Sequence, residues 1–220
     1  MWLCSVYNVS ATVSELCQQL IKNKEWINMI NSKSDYLRYL KQDKLALGKN
    51  YKSPKLVHDE IWKFEILLRK TEYYVNCKRT FIGKLYGKVL QFLYYKKRLK
   101  YNTYIPLNVF GPGLSIAHFG AIVVNGNAKV GENCRIQDSV TIGATNGKSQ
   151  APVIGNNVFI GSGARLIGNI NIANDIAIGS NAVVVKSFNE SGVTIGGVPA
   201  KKISDNNSHS NLNKCLELDK

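Results

Sequence analysis

The feature of this chain that most restricts its fold is an aliphatic residue at every sixth position of the second half. The uninterrupted series is Ile154, Ile160, Leu166, Ile172, Ile178 and Val184, and the shorter series before it are Ile116 with Ile122 and Val130 with Ile136 and Ile142. A period of six matches neither a helix, at about 3.6 residues per turn, nor an alternating strand, so it indicates a repeat architecture. We predict one short strand and one corner per hexad, three hexads per coil, and coils stacked around an aliphatic column.

Two interruptions of the period mark candidate functional segments. Eight residues instead of six separate Ile122 from Val130, which predicts a two-residue bulge. Between Ile142 and Ile154 the expected aliphatic position is Lys148, so we predict that residues 144–152 leave the solenoid as a loop. Function tends to lie on such loops of a rigid scaffold.

The first half of the chain has the pattern of helices. A capping-box spacing begins at Thr12, and a second helix is predicted to start at Ser34 and to end at Gly48. Two longer helices are predicted over residues 58–75 and 80–100. The apolar stripe of the last one consists of Ile82, Leu85, Val89 and Phe92, and we expect it to lie in the core.

Charge is unevenly distributed over the 220 residues, whose formal net charge is +14. Residues 61–101 contain eleven Lys and Arg but only two acids, Glu65 and Glu72. We expect this basic helical half to help the protein meet an anionic or membrane-associated acceptor, and the alternative is an ordinary solvated surface. No nucleic-acid-binding motif accompanies the charge, so nucleic acid is not an expected partner.

Cysteine usage and the N-terminal segment indicate the compartment. The five cysteines are scattered without CxxC spacing, which argues against a disulfide framework and fits a reducing cytoplasm. The segment MWLCSVYNVS lacks the features of a signal peptide. We expect a cytoplasmic protein, peripheral at the inner face of the membrane if the basic half binds there.

Three segments together resemble one known family. They are GLSIAHFGAIVVNGNAKVGENC, SVTIGATNGKSQAPVIGNNVFIGSGARLIG and GGVPAKKI. They are similar to the hexapeptide-repeat acyltransferases of the serine acetyltransferase-like branch, and FGPGLSIAHFGAIVVN is similar to enzymes that O-acetylate sugars of bacterial surface polysaccharides. The resemblance implies an α+β chain: a helical region (1–103), a left-handed parallel β-helix (104–203) and a polar C-terminal tail (204–220). The general rule for parallel crossovers would have predicted the opposite hand.

The resemblance assigns the catalytic base to His118. It is the one histidine of three that falls in the repeat region, and neutral imidazole suits proton abstraction from a hydroxyl. The family often orients this histidine with an acid in the adjacent position or some fifteen residues upstream. Here those positions are Ala117 and Thr103. A backbone carbonyl, or Asp138 if the coils bring it close, would have to hold the ring.

The resemblance also implies a binding groove for acetyl-coenzyme A between neighbouring solenoids, and hence a homotrimer. The positions matching that groove are Gly143, Ala144, Thr145, Gly163, Ala164, Ser180, Ala200, Lys201 and Lys202. Small residues allow close approach of the pantetheine arm, and the two lysines suit its phosphates. Acceptor-binding candidates are Asn125, Asn127, Asn146 and Gln150. One histidine in the repeat cannot form a three-histidine zinc site, so no metal is expected.

These residues predict an acetyl-CoA-dependent O-acetyltransferase that acts on a sugar hydroxyl of a surface polysaccharide or its precursor. The alternative is a serine O-acetyltransferase of cysteine biosynthesis, and a more distant one is a non-enzymatic solenoid scaffold. The sugar is expected because the loop 143–152 contains no histidine and the positions of Thr103 and Ala117 provide no acid for an amino-acid ammonium group.

Overall fold

The computed structural model describes residues 29–145, 147 and 149–218. The helix predicted from Thr12 and the acceptor candidate Asn146 lie outside the described residues. The described part begins with three helices: α1 (Lys33–Ala46), α2 (Glu60–Cys77) and α3 (Phe81–Tyr101). None of them is long and apolar enough to cross a membrane.

The start of α1 differs from its prediction. Ser32 caps the helix, because its backbone is extended (φ −147°) and its Oγ accepts the Asp35 N–H at 3.0 Å. Ser34 is already inside the helix, so the predicted start at Ser34 was wrong by two positions. The predicted end is confirmed, since Leu47 is the C-cap and Gly48 follows with a left-handed φ of 67°.

Short strands of two to four residues follow the helices and stack in the predicted coils. They are β1 (Thr103–Tyr104), β2 (Ser115–Ile116), β3 (Ile122–Val124), β4 (Lys129–Val130), β5 (Arg135–Ile136), β6 (Thr141–Gly143), β7 (Val153–Ile154), β8 (Phe159–Ile160), β9 (Arg165–Ile167), β10 (Asn171–Ile172), β11 (Ala177–Ile178), β12 (Val183–Val184), β13 (Thr194–Gly196) and β14 (Lys201–Ser204). Sheet A has the order β1-β3-β6-β9-β12, sheet B β10-β7-β4, and sheet C β14-β13-β11-β8-β5-β2. Every pairing is parallel except that of β13 with β14.

The hexad aliphatics form the core because each coil places them in register with the next. In sheet C, Ile116, Ile136, Ile160, Ile178 and Ile195 are stacked partners and are at most 1% exposed. Full burial of such a side chain contributes about 1.5–3 kcal/mol. The repeated column therefore stabilises the corners that connect the sheets, and these corners position the functional side chains.

A buried cluster of four ionisable residues joins the helices to the first coil. Its members, called the cap cluster below, are Asp43, Glu65, Arg69 and Glu72, each at most 2% exposed. The first coil has no preceding coil to pair with its backbone groups, and unpaired buried amides are costly. The carboxylates replace that coil: Asp43 accepts from Gly113 and Leu114, Glu65 from Ile116, and Glu72 from Asn108, at 2.7–2.9 Å.

Arg69 is the hydrogen-bond donor of the cap cluster. It donates to the carbonyls of Phe110 and Gly111 at 2.9 and 2.7 Å, and it pairs with Asp43 at 2.8 Å and with Glu72 at 3.1 Å. From the sequence, Glu65 and Glu72 count only toward a surface charge ratio. Both acids are instead interior groups that terminate the β-helix.

The apolar stripe predicted for the core on α3 is exposed. Ile82, Leu85, Val89 and Phe92 are 78, 56, 46 and 58% exposed. The buried residues of α3 are Gly83, Gly87, Leu90 and Tyr94, which face α2. That expectation was wrong because a helix with two apolar stripes buries the one its neighbour covers, and periodicity alone cannot identify it.

The polar tail folds back onto the solenoid. Ser208 is fully buried, and its hydroxyl donates to the Asn157 carbonyl. His209 Nε2 lies 2.8 Å from Asp175 Oδ1, and Leu212 is 7% exposed. His209 therefore lies at the corner between sheets B and C, away from His118.

Candidate active site

His118 lies at the corner between sheets C and A, and Asp138 occupies the same position in the next coil. The register of β2 with β5 pairs Ile116 with Ile136, and the Ala117 N–H donates to the Ile136 carbonyl at 2.9 Å. His118 and Asp138 are therefore equivalent positions of successive coils. The same register continues upward to Ser162 and Ser180. These four residues are called the corner column below.

Asp138 is held in place by hydroxyl groups. Ser162 Oγ donates to Asp138 Oδ1, and Ser139 Oγ donates to Oδ2 at 3.2 Å. The hydrogen bond from Ser162 is the main cause that lowers the pKa of Asp138, and the charge of nearby His118 lowers it further. Asp138 is therefore ionised at neutral pH and electrostatically coupled to His118. Sequence reasoning missed Ser162, although its position two residues after a hexad aliphatic was the available signal.

The His118 side chain is exposed and makes no hydrogen bond with any residue that the structure describes. Its neighbours Ala117 and Phe119 line a cavity of about 330 Å³ between the start of α2 and the first coil. Arg135 lines the same cavity, and its hydrogen bond is a long one of 3.4 Å to the Ser115 hydroxyl. A ligand that reaches His118 thus has an adjoining, partly open pocket.

Two acids of that cavity, Asp59 and Glu60, are already satisfied. Lys49 and Tyr51 donate to Asp59 at 2.7 Å, and the first of these holds its pKa well below the usual range. Lys63 donates to Glu60 at 2.8 Å and is the main cause that lowers its pKa to about 2. Each carboxylate therefore has a cationic partner within the chain.

The other predicted site residues lie at the opposite edge of sheet A. Gly143 is the last residue of β6, Ala144 and Thr145 follow it, and Gln150 belongs to the loop after them. Asn125 and Asn127 follow β3 one coil below, and Asn127 Nδ2 donates to the Ser149 carbonyl at 2.9 Å. A three-residue strand spans about 10 Å. Within one chain, the structure does not bring these residues to His118.

The remaining positions of the expected coenzyme groove have different environments. Gly163 and Ser180 are at the corner of His118. Ala164 is fully buried and Ala200 is 5% exposed, so only their backbone groups could contact a ligand, and both assignments stay predictions. Lys201 is exposed, whereas Lys202 pairs with Glu190 at 2.6 Å and Asp205 at 2.5 Å.

Small and half-exposed residues along both edges of sheet A fit an extended ligand. Gly143 and Gly163 have no side chain to fill the surface, and a Cβ on Gly163 would lie 2.1 Å from Asn181 Oδ1. The exposed Lys201 provides a cation near the end of the solenoid. In the described part of the chain no three His, Cys, Asp or Glu residues are grouped as metal ligands would be.

Part of the chain is similar in sequence to known serine acetyltransferases. No family model matches the chain. The serine acetyltransferase of Buchnera aphidicola subsp. Schizaphis graminum is 36% identical over 111 residues, which are 49% of this chain and 42% of that protein. The serine acetyltransferase of Mycobacterium tuberculosis is 39% identical over 100 residues, or 44% of this chain and 43% of that protein. The matches thus span less than half of these relatives.

Solved structures extend the similarity to the helical half. The crystal structure of serine acetyltransferase from Brucella abortus aligns with a TM-score of 0.57 and 24% identity, over 80% of this chain and 72% of that one. A serine acetyltransferase in complex with CoA aligns with a TM-score of 0.55 and 21% identity, over 78% and 71%. The chain is thus similar to serine acetyltransferases in sequence over about half of its length and in fold over most of it. The expected helical half followed by a left-handed β-helix is confirmed.

In this chain, the positions where the resemblance implies an acid contain none. Thr103 is 1% exposed, and its hydroxyl donates to the carbonyls of Tyr101 and Gly120 at 3.0 and 3.2 Å. Ala117 has no polar group. Asp138 is instead the carboxylate coupled to His118, and it comes from the following coil.

Proposed function

We propose that the chain is an acetyl-CoA-dependent O-acetyltransferase in which His118 is the general base. The observation that supports this most is the exposed imidazole beside an ionised carboxylate, in a chain similar to serine acetyltransferases in both sequence and fold. A free imidazole at a scaffold corner suits proton abstraction at neutral pH.

The reaction needs a proton acceptor and a stabilised cation. Acetyl-coenzyme A supplies a thioester carbonyl as the electrophile. His118 takes the proton of the acceptor hydroxyl while that oxygen attacks the carbonyl carbon, and the imidazolium then gives the proton to the leaving thiolate. Asp138, kept ionised by Ser162 and Ser139, stabilises the imidazolium through its charge.

We propose that the coenzyme binds along sheet A with Gly143, Ala144, Thr145, Gly163 and Ser180 beside its arm and Lys201 near a phosphate. Lys202 would bind a coenzyme phosphate only by releasing its two carboxylate partners, Glu190 and Asp205. Because the candidates lie on both edges of sheet A, one chain presents two separated half-sites. A cyclic homotrimer would place one edge against the other edge of a neighbouring copy.

The comparisons support serine as the acceptor better than the sugar expected from the sequence, since the relatives reported above are serine acetyltransferases. On that proposal, an acid of the site must bind the ammonium group. The available acids near His118 are Asp138 and, in the adjoining cavity, Asp59 and Glu60, and each already has donors within the chain.

That engagement of every nearby acid is the observation that favours a second candidate, a sugar hydroxyl of a surface polysaccharide or its precursor. A sugar needs neutral hydrogen-bonding partners instead of an ammonium site. Asn125, Asn127 and Gln150 from the loop edge of a neighbouring copy would provide them beside His118 of this chain.

Thiol release from acetyl-coenzyme A tests the proposal. The purified chain is assayed with serine, homoserine, and mono- and oligosaccharides, and products are identified by mass spectrometry. Serine turnover with a sub-millimolar KM, common for an enzyme's own substrate, would establish the first acceptor. Saccharide turnover without serine turnover would establish the second. Release that is unchanged in His118→Ala would refute the mechanism for both.

A further inference from the structure

Helix α3 has a second apolar face that no described residue covers. This exposed face consists of Phe81, Ile82, Leu85, Val89, Phe92, Leu93 and Leu99, which are 46–82% exposed. A helix advances by about 100° per residue, so these side chains lie within an arc of roughly 120°. The buried stripe from Gly83 to Tyr94 lies on the opposite side. Exposed apolar patches of this extent mark interaction sites.

The charge around the exposed face has one sign. Of the eleven cations in residues 61–101, Arg69 is buried, and both acids of that range, Glu65 and Glu72, are buried too. Within residues 61–101, ten cations and no acid are therefore left outside the interior, and the half-exposed Glu60 at the start of α2 pairs with Lys63 and, at 3.7 Å, with Lys97. Lys84 and Lys88 flank the exposed face on one side and Lys97 on the other, with Lys96 and Lys100 near its C-terminal end.

We propose that the exposed face of α3 binds the surface of an anionic lipid bilayer. The helix would lie in the plane of the interface, with its phenylalanine and aliphatic side chains below the headgroups and its lysines beside lipid phosphates. Interfacial helices have this combination of a wide apolar face and a cationic border. The proposal does not depend on which reaction His118 performs.

Charge argues against the other occupants of this face. Two copies that met through it would place lysines against lysines, which is repulsive. Residues 1–28 contain Lys22 and Lys24 against Glu15 and Glu25, so they offer no net negative charge. A soluble polyanion would satisfy the lysines but would leave seven apolar side chains in water. A bilayer surface with anionic lipids satisfies both features.

Vesicle co-sedimentation of the full chain tests the proposal. The vesicles are pure phosphatidylcholine or phosphatidylcholine with one-third phosphatidylglycerol, at low and high salt. We expect binding to the anionic vesicles that weakens with salt, because the lysine contribution is screened. Lys84→Gln with Lys88→Gln should weaken binding roughly thirty-fold at low salt, since each basic residue near such a surface contributes about fivefold.

Apolar variants separate a bilayer from a simple polyanion. Leu85→Gln with Phe92→Gln should reduce vesicle binding by about tenfold or more, and it should leave retention on a heparin column unchanged. The matched controls are Leu37→Gln, since Leu37 is 54% exposed on α1, and Lys41→Gln on the same helix. Both should bind vesicles as the wild type does. Circular dichroism checks that each variant is folded.

Three outcomes would overturn the proposal. Equal binding of the wild type to neutral and anionic vesicles would remove the role of the lysines. Unchanged vesicle binding by the Leu85 and Phe92 variant would show that the apolar side chains play no part and that the lysines alone bind, as they would bind any polyanion. A smaller assembly mass for that variant in light scattering, with no vesicle binding by the wild type, would show that a second copy covers the face.

Discussion

Asp43→Asn and Glu65→Gln should change stability in opposite directions at pH 8, although each replaces a buried carboxyl group of the cap cluster by an amide. Asp43 accepts the N–H groups of Gly113 and Leu114 and pairs with Arg69 at 2.8 Å. Removing one partner of a buried ion pair costs about 3–5 kcal/mol. At about 2–4 °C per kcal/mol for a chain of this length, Asp43→Asn should lower Tm by roughly 6–20 °C.

Glu65 differs because burial raises its pKa well above the usual range, with the charge of Asp43 as a second cause. The folded protein therefore keeps this proton to a higher pH than the unfolded chain, which loses it near pH 4.3 or so. Above that pH the folded state binds one more proton, so stability falls by about 1.4 kcal/mol per pH unit up to the folded pKa. Glutamine cannot ionise. Glu65→Gln should therefore match the wild type near pH 4–5 and exceed it at pH 8.

Urea unfolding followed by circular dichroism at pH 5 and pH 8 measures both changes, at one chain concentration so that any assembly contributes equally. The control is Asp205→Asn, whose side chain is 87% exposed and pairs with Lys202, a kind of ion pair that contributes little. A cost of Asp43→Asn no larger than that of the control would refute the reasoning. Destabilisation by Glu65→Gln at pH 8 would refute it as well.

Three further predictions concern the site. His118→Ala should lower kcat by roughly 10²–10⁴ with unchanged circular dichroism, and activity like the wild type would remove His118 from the mechanism. Asp138→Asn should lower kcat about two- to fivefold at constant KM for acetyl-coenzyme A, the effect of a solvent-exposed charge pair. The control Asp175→Asn, at the corner between sheets B and C, should leave kcat unchanged. If this control lowers kcat as much as Asp138→Asn does, the effect of Asp138→Asn is one on folding. Light scattering should give the mass of a homotrimer, and a fully active monomer would contradict the shared groove.

The repeat was predictable in detail because its determinants are local. An aliphatic residue every six positions specifies a strand and a corner, and identical coils can only stack with those positions in register. This places His118 under Asp138 once the two-residue bulge is counted. The same arithmetic would have found Ser162, which occupies the equivalent position one coil later.

Three features were decided by tertiary structure alone. The sequence predicts Glu65 and Glu72 as surface charges. They are buried because the backbone N–H groups of the first coil need hydrogen-bond acceptors. The sequence predicts that one apolar stripe of α3 lies in the core, yet α2 covers the glycine stripe of that helix instead. The stripe left exposed consists of Ile82, Leu85, Val89 and Phe92. Asn125 and His118 are seven residues apart in the chain, yet a strand of sheet A separates them. The first two share one physical reason: a sequence period defines which residues share a face, whereas the element that packs there decides whether the face is buried. The third follows from the extended backbone of β3, which carries His118 and Asn125 to opposite edges of sheet A.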